Sequence, residues 1–372
     1  MKDRIPTRPN RVKLIFPNKT EYAIIERADE PSEEGTPLNK ANLLTDQTAQ
    51  SLGLDPAADP SINDAFARVG EVLQYTYLCN GVDDDKKISQ LVNSFFTKES
   101  NNDNYKGIYL KIVGELGFSD DPYRLSAPDA YCYLRFEASA NLTRKVTIDF
   151  AAATVNLINP KRSNNTPITY ELMRVNRDGL TIINLNANFV FNMNFSGYAV
   201  GVQCNTNPTL INCNVRVETV PPTAGVISTP YAFSGIGTYI RCKAISINSC
   251  NAITEYGINT NAYGFHGQMI CMGCMAYALV KAESYNKTYG YYCNSDGCYI
   301  SSCYANYGIK SGYNGSTPTH YGIYVYEDKK VYVSGNIISN SIANRVYYTG
   351  TNTEGARFVG NNLYIDSSEY IT

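Results

Sequence analysis

Tryptophan is absent from this chain of 372 residues, and histidine occurs only twice, as His266 and His320. Neither histidine stands in a recognisable motif, so a nucleophilic thiol or hydroxyl is left without an evident base. No apolar run approaches the ~18 residues of a membrane-spanning helix, and membrane insertion is not expected. The start, MKDRIPTRPNRVK, is charged and broken by proline. It lacks the hydrophobic stretch of a secretory signal, so the expected place of synthesis is a cytoplasm that keeps thiols reduced. A net charge of −2 argues against polyanion binding by the molecule as a whole, nucleic acid included. Charge is scarcest over residues 181–250, which hold only Arg216, Glu218, Arg241 and Lys243. A usual share of ~25% would give about seventeen. Ten asparagines in that stretch supply the polar exterior instead.

Tyrosine, by contrast, is abundant, with 31 residues, and there are 11 cysteines. So much tyrosine suggests amphipathic surface as well as core. An odd number of cysteines cannot pair completely within one chain.

Residues 1–60 read as a separate module. A basic beginning (Lys2, Arg4, Arg8, Arg11, Lys13, Lys19) runs into the acidic ERADEPSEEG (26–35). RVKLIF (11–16) and EYAII (21–25) have strand character and are joined by the turn-like PNKT. Acid so close to base favours a solvated or partner-facing strand over a nucleic-acid arm. Residues 61–80 are expected to form a helical stem or linker, because Ile62, Phe66, Val69 and Leu73 recur at helical spacing behind Ser61. In GVDDDKKISQLVNSFF (81–96), Ile88, Leu91, Val92, Phe95 and Phe96 make one apolar helix face. Asp83, Asp84 and Asp85 are placed to cap its first N–H groups, a role that needs no calcium. This helix is expected over 81–98 and strands from 99 to 372. The clearest strand, NLNANFVFNMNF (184–195), alternates apolar residues with asparagine.

Two short elements then recur in order. YAV (198–200), YAF (231–233), YGF (263–265), YGY (289–291) and YGI (321–323) form the first. TLINCNV (209–215), TYIRCKA (238–244), ICMGCMA (270–276), YISSCYA (299–305) and VYVSGNI (331–337) form the second. Five copies about 30 residues apart are an internal repeat. A unit of short strands and Gly/Asn/Ser turns cannot bury its apolar face alone and must stack on its copies. Three strands and three turns fit one turn of a parallel β-helix, so the expected class is mainly β. Like residues then stack ~4.8 Å apart. Cys213, Cys242, Cys274 and Cys303 are expected as an inward ladder, with Gly335 in the fifth copy. Ile211, Ile240, Met272 and Val333 are expected to fill the inward position two residues earlier, interrupted by Ser301. A zinc site on Cys271, Cys274, Cys293 and Cys298, or disulfides, are the competing readings.

GVDDDKKISQLVNSFF resembles the helix that caps the N-terminal end of pectate-lyase-like β-helices in phage tailspikes. RIPTRPNRVKLIF with ERADEPSEEGTPLNKANLL resembles the beginning of tail-fibre or baseplate-appendage proteins of Firmicutes prophages. The resemblance implies a right-handed, single-stranded parallel β-helix with an N-terminal capping helix and a small attachment module. It further implies a homotrimer on a virion or phage-tail-like particle. Residues 1–60 would dock on a tail or baseplate protein, and the β-helix would bind a host cell-surface polysaccharide. Some proteins of this class cleave their glycan, and a structural spike without a glycan ligand is the third possibility.

Hydrolysis of a glycan usually takes two carboxylates about 5–9.5 Å apart. Glu255, Glu283 and Asp296 are weak candidates, since Glu255 and Glu283 fall out of phase with the repeat. Glu327 and Asp328, in EDKK, read as an exposed turn. Binding has better support. Tyr292 and Tyr324 on strands, Tyr285 and Tyr313 in turns, and His266, outward beside Phe265, offer flat surfaces and polar groups for sugar rings. Tyrosine padding between subunits is the alternative. No metal or cofactor is expected.

Overall fold

The computed structural model describes residues 11–16, 19–24, 57, 72–96, 107–125, 130–137, 145–159, 169–192, 196–220, 228–249, 260–280, 286–306, 319–327, 329–339, 347–348, 358–360 and 362–365. The chain divides into two compact units, Met1–Val69 and Gly70–Thr372. In the first, Arg11–Phe16 and Lys19–Ile24 pair antiparallel as a hairpin. The candidate stem helix over 61–69 lies outside the described residues. Its continuation does not form, because Val72–Leu78 is a strand paired in parallel with Gly107–Glu115.

The second unit is a parallel β-solenoid of about six turns. Each turn contributes up to three strands, which fall on three faces called A, B and C in chain order. Face A carries Thr169–Val175, Gly197–Cys204, 228–235, 260–267, Asn286–Cys293 and Thr319–Val325, each paired in parallel with the next. Face B carries Leu180–Ile183, Thr209–Ile211, 238–240, 270–272, Cys298–Ser301 and Val331–Ser334. Face C carries Asn186–Phe191, Asn214–Thr219, Lys243–Asn248, Met275–Val280, Tyr304–Asn306 and Ile337–Ser339. The strands of faces B and C alternate in burial, so one column of side chains fills the coil and the next lines its outside, whereas the face-A strands carry runs of buried residues. Phe189 and Phe191, Phe233, Phe265 and Tyr291 are among the largest wholly buried side chains.

The only helix among the described residues spans Asp84–Ser94. It places Ile88, Val92, Phe95 and Phe96 in the core, while Leu91 is only partly buried. Its side chains also satisfy the edge of the strand Ala130–Phe136. The Arg135 N–H donates to Ser89 Oγ at 2.9 Å, Asn93 Nδ2 to the Arg135 carbonyl at 3.1 Å, and the Glu137 N–H to Asn93 Oδ1 at 3.0 Å.

The aspartates do not cap the helix as the sequence suggests. Asp83 sits at the N-cap with φ 49° and makes no side-chain cap bond. Asp84 instead accepts from the Tyr77 hydroxyl and from the N–H groups of Asn80, Gly81 and Gly117, at 2.7–3.2 Å. Asp85 accepts from the N–H and hydroxyl of Ser119, both at 2.9 Å. Burial pushes the Asp84 carboxyl up, but these donors outweigh it and hold the group below its ordinary range. Asp85, with fewer donors, is left above it by burial. Both carboxylates therefore fasten the loop at 117–119 to the helix start, a long-range role that spacing could not reveal.

Candidate functional site

The tyrosine motif acquires its meaning on face A. In Tyr289-Gly290-Tyr291-Tyr292, Tyr289 and Tyr292 lie on the outside and Tyr291 in the core. The pairing skips the residue between Tyr289 and Tyr291, so the strand bends there. Gly290 meets this bend because an added Cβ would stand 2.6 Å from the Gly322 carbonyl oxygen. The structure corrects the first copy. Val200, not Tyr198, pairs with Tyr231, so Val200-Gly201-Val202 is the true counterpart of Tyr231-Ala232-Phe233.

Two outward columns result. Tyr231, Tyr263, Tyr289 and Tyr321 stack at centroid distances of 4.6, 4.7 and 5.3 Å. Beside them His266, Tyr292 and Tyr324 stack at 5.1 and 5.0 Å. Members of the two columns also meet edge-on, as Tyr289 and Tyr292 do at 5.0 Å. The sequence reading offered the flat faces of Tyr292 and Tyr324 to sugar rings. In the structure Tyr292 is covered on one face by His266 and on the other by Tyr324, and Tyr324 is 8% exposed. In-register stacking thus turns these ring faces onto one another over the turns described. Tyr198 and Tyr326, at its margins, stay exposed.

His266 lies on the outer column yet is mostly buried, against Tyr231, Tyr263 and Tyr292 and 3.5 Å from the Ser234 hydroxyl through Nδ1. Burial lowers its pKa from 6.5 to about 4. The folded state therefore resists a proton that the unfolded chain takes up below about pH 6.5. Stability is lost as pH falls from there towards 4, by up to about 3 kcal/mol from this group. In His266→Phe that component is expected to vanish. Denaturant unfolding at pH 7 and pH 4.5 should show a smaller stability loss in the variant, and an equal loss would refute the assignment.

Of the other candidates, Tyr285, Tyr313, Glu255 and Glu283 lie outside the described residues. Asp296 sits in an exposed turn, where its carboxylate accepts the Lys330 N–H at 2.7 Å and braces the next turn. Sequence reading missed two buried carboxylates of the early turns, which the five-copy repeat does not reach. Glu171 is paired with Arg174. Asp149 accepts from Tyr109 and from Asn184 Nδ2. Both have their oxygens engaged by neighbours.

The cysteines stand at the corner between faces B and C. Cys213, Cys242, Cys274 and Cys303 occupy one position in successive turns, each directly before a paired face-C strand. The fifth member is Asn336, because Ser301 pairs with Ser334 and Tyr304 with Ile337. Gly335 is aligned with Ser302 instead. The column two residues before the cysteines faces outward, contrary to expectation. Leu210, Tyr239, Cys271, Ile300 and Val333 fill the core in its place. Simple alternation fails here because one left-handed residue is inserted at the corner: Asn212 (φ 54°), Arg241 (52°), Gly273 (61°), Ser302 (55°) and Gly335 (67°).

Each corner thiol donates to a carbonyl of that inner column one turn back: Cys213 to Ile182, Cys242 to Leu210, Cys274 to Tyr239 and Cys303 to Cys271, at 3.2–3.5 Å. Cys303 Sγ also accepts the Cys274 N–H at 3.3 Å. Asn336 reproduces both bonds, donating through Nδ2 to the Ile300 carbonyl at 3.1 Å and accepting the Cys303 N–H at 2.8 Å. Cys303→Asn is therefore expected to stay within about 1 kcal/mol of the parent. Cys303→Val, which strands the Cys274 N–H, should cost about 2 kcal/mol, read from denaturation midpoints. Equal midpoints for the two variants would remove the hydrogen-bonding role.

The ten described cysteines are free thiols. Burial pushes Cys271 far above its ordinary pKa, which disfavours the thiolate that nucleophiles and metal ligands require. The proposed zinc quartet is not assembled. Cys271 is in the core of face B, Cys274 at the next corner, and Cys293 and Cys298 flank the corner between faces A and B. Among the described residues no cluster of three or more His, Cys, Asp or Glu side chains is arranged to hold a metal ion. No protein-family model, curated protein or solved structure matches the chain.

Proposed function

We propose that the chain is a tail fibre or tailspike-like appendage of a phage or phage-tail-like particle, and that its right-handed β-helix binds a host cell-surface glycan. The observation that carries this reading is the strict turn-on-turn register of the coil, which repeats outward side chains in straight rows ~4.8 Å apart. Such rows suit a ligand that is itself a chain of repeated units. The helix Asp84–Ser94 is read as the cap of the coil, since Ser89 and Asn93 occupy hydrogen-bonding groups of a strand edge that would otherwise be open. The hairpin of residues 11–24 belongs to the module read as docking on the tail or baseplate. The working assembly is a homotrimer.

The test is a glycan array probed with the full-length protein, with detection of new reducing ends and a solution mass measurement. Binding without new ends, by a species of three chains, is the expected result. New reducing ends would make the protein a depolymerase, and no binding to any glycan would favour a structural spike.

A further inference from the structure

We infer that the receptor contact lies on the asparagine-lined outside of the early turns, around Asn186, Asn188 and Asn214 on face C with Asn184 and Asn212 at its corner, and that its ligand is an uncharged, hydroxyl-rich polysaccharide. This rests on the glycan-binding reading above and gives it a place and a ligand class.

The side chains are held in rows by the fold. Asn186 pairs with Asn214 across the turns, and Asn188 with Arg216. Buried Ala187, Phe189, Val215 and Val217 alternate with them and fix the outward direction. Amide-to-amide bonds then set their orientation. Asn214 Nδ2 donates to Asn186 Oδ1 at 3.1 Å and Asn212 Nδ2 to Asn184 Oδ1 at 3.5 Å. Asn184 Nδ2 is in turn anchored on Asp149 at 2.9 Å.

A ladder bond consumes one N–H of the donor amide and one lone pair of the acceptor. The remaining N–H and oxygen capacity of each amide is left for another partner. Asn188 Oδ1 and Asn214 Oδ1 are turned away from solvent and have no hydrogen-bond partner in the structure. Native proteins leave few such acceptors unmet, and a ligand hydroxyl would supply the missing donor after a small side-chain rotation. A row of groups that both donate and accept is matched to sugar hydroxyls, which do the same.

The coil itself does not require these amides. The outward column that begins Asn186–Asn214 continues as Lys243, Met275, Tyr304 and Ile337 in later turns. Charge on these rows is balanced, because Arg216 is paired with Glu218 and Lys243 enters the column only one turn further on. A neutral face gains nothing from an anionic polymer, which would lose hydration on docking without a counter-charge. The tyrosine plate of face A is the weaker candidate, since its ring faces are covered.

The test uses the full-length protein and an immobilised panel of neutral polysaccharides (dextran, mannan, galactan) and anionic ones (hyaluronate, polygalacturonate). The parent is expected to bind a neutral member. Asn186→Ala/Asn214→Ala should weaken that binding at least tenfold with an unchanged melting temperature, and Tyr326→Ala should leave it intact. Asn186→Asp/Asn214→Asp, which keeps the acceptors but removes the donors, should lose binding too and guards against a folding artefact. Unchanged binding in both amide variants would overturn the location while leaving the glycan reading standing. Preference of the parent for the anionic members would overturn the ligand class. A parent that binds no member counts against the inference and the glycan reading together.

Discussion

Valine in place of Gly267 is expected to yield no stably folded coil. Gly267 pairs with Gly235 of the preceding turn and has φ +124°, a backbone conformation that side-chain-bearing residues rarely adopt. A Cβ there would stand 2.2 Å from the Gly235 carbonyl oxygen. The obstacle is main chain held by parallel pairing on both sides, so no rotamer change relieves it. Strain and clash together are expected to exceed about 4 kcal/mol, in the exceptional range for one substitution. The measurement is soluble yield with thermal unfolding by circular dichroism. A variant that melts within a few degrees of the parent would show that the corner deforms more readily than the structure implies.

The second large effect is expected from Val92→Asp. Val92 is fully buried on the helix face that enters the coil's core. A carboxylate there costs several kcal/mol, or drives the helix off the coil. Departure of the helix would also free the groups that Ser89 and Asn93 engage at residues 135–137 and expose a strand edge to self-association. Aggregation or loss of cooperative unfolding should follow, measured by light scattering and denaturant titration. Leu91→Asp, at a partly buried position, should do much less. A soluble, parent-like Val92→Asp protein would mean that the helix does not close the coil.

The coil was legible in the sequence because its signals are local and periodic. Alternation in 184–195, the apolar stripe of 88–96 and two elements recurring in fixed order each follow from one strand, one helix or one turn. The errors arose where a property depends on a neighbour distant in sequence. Tyr198-Ala199-Val200 has the look of the later Tyr-small-apolar elements, and only pairing shows that Val200 stands where they place tyrosine. One left-handed residue at each corner reverses the sidedness that alternation assigns to Ile211, Ile240 and Met272. Gly335 falls level with the thiols in the linear sequence because the fifth copy is offset by one residue, a shift visible only from the Ser301–Ser334 pair. For the candidate site, outwardness of Tyr292 was inferable from strand alternation, but its coverage by His266 and Tyr324 is a product of stacking. The abundance of asparagine was evident from composition. Its arrangement into adjoining rows on one face was not.

The connections from face C back to face A have a consequence for how such a molecule can change. They comprise residues 192–196, 220–227, 249–259, 281–285, 307–318 and 340–346, and so differ in length from five to twelve residues. The register of the strands on either side is nevertheless kept from turn to turn. The coil therefore has a seam, a single edge along which sequence can be added or removed without re-threading the rest. Foreign peptides grafted at 307–318 should be tolerated where the same insert in the continuous strand Thr260–Met272 is not, and new surface can accumulate along that one edge while the interior stays unchanged.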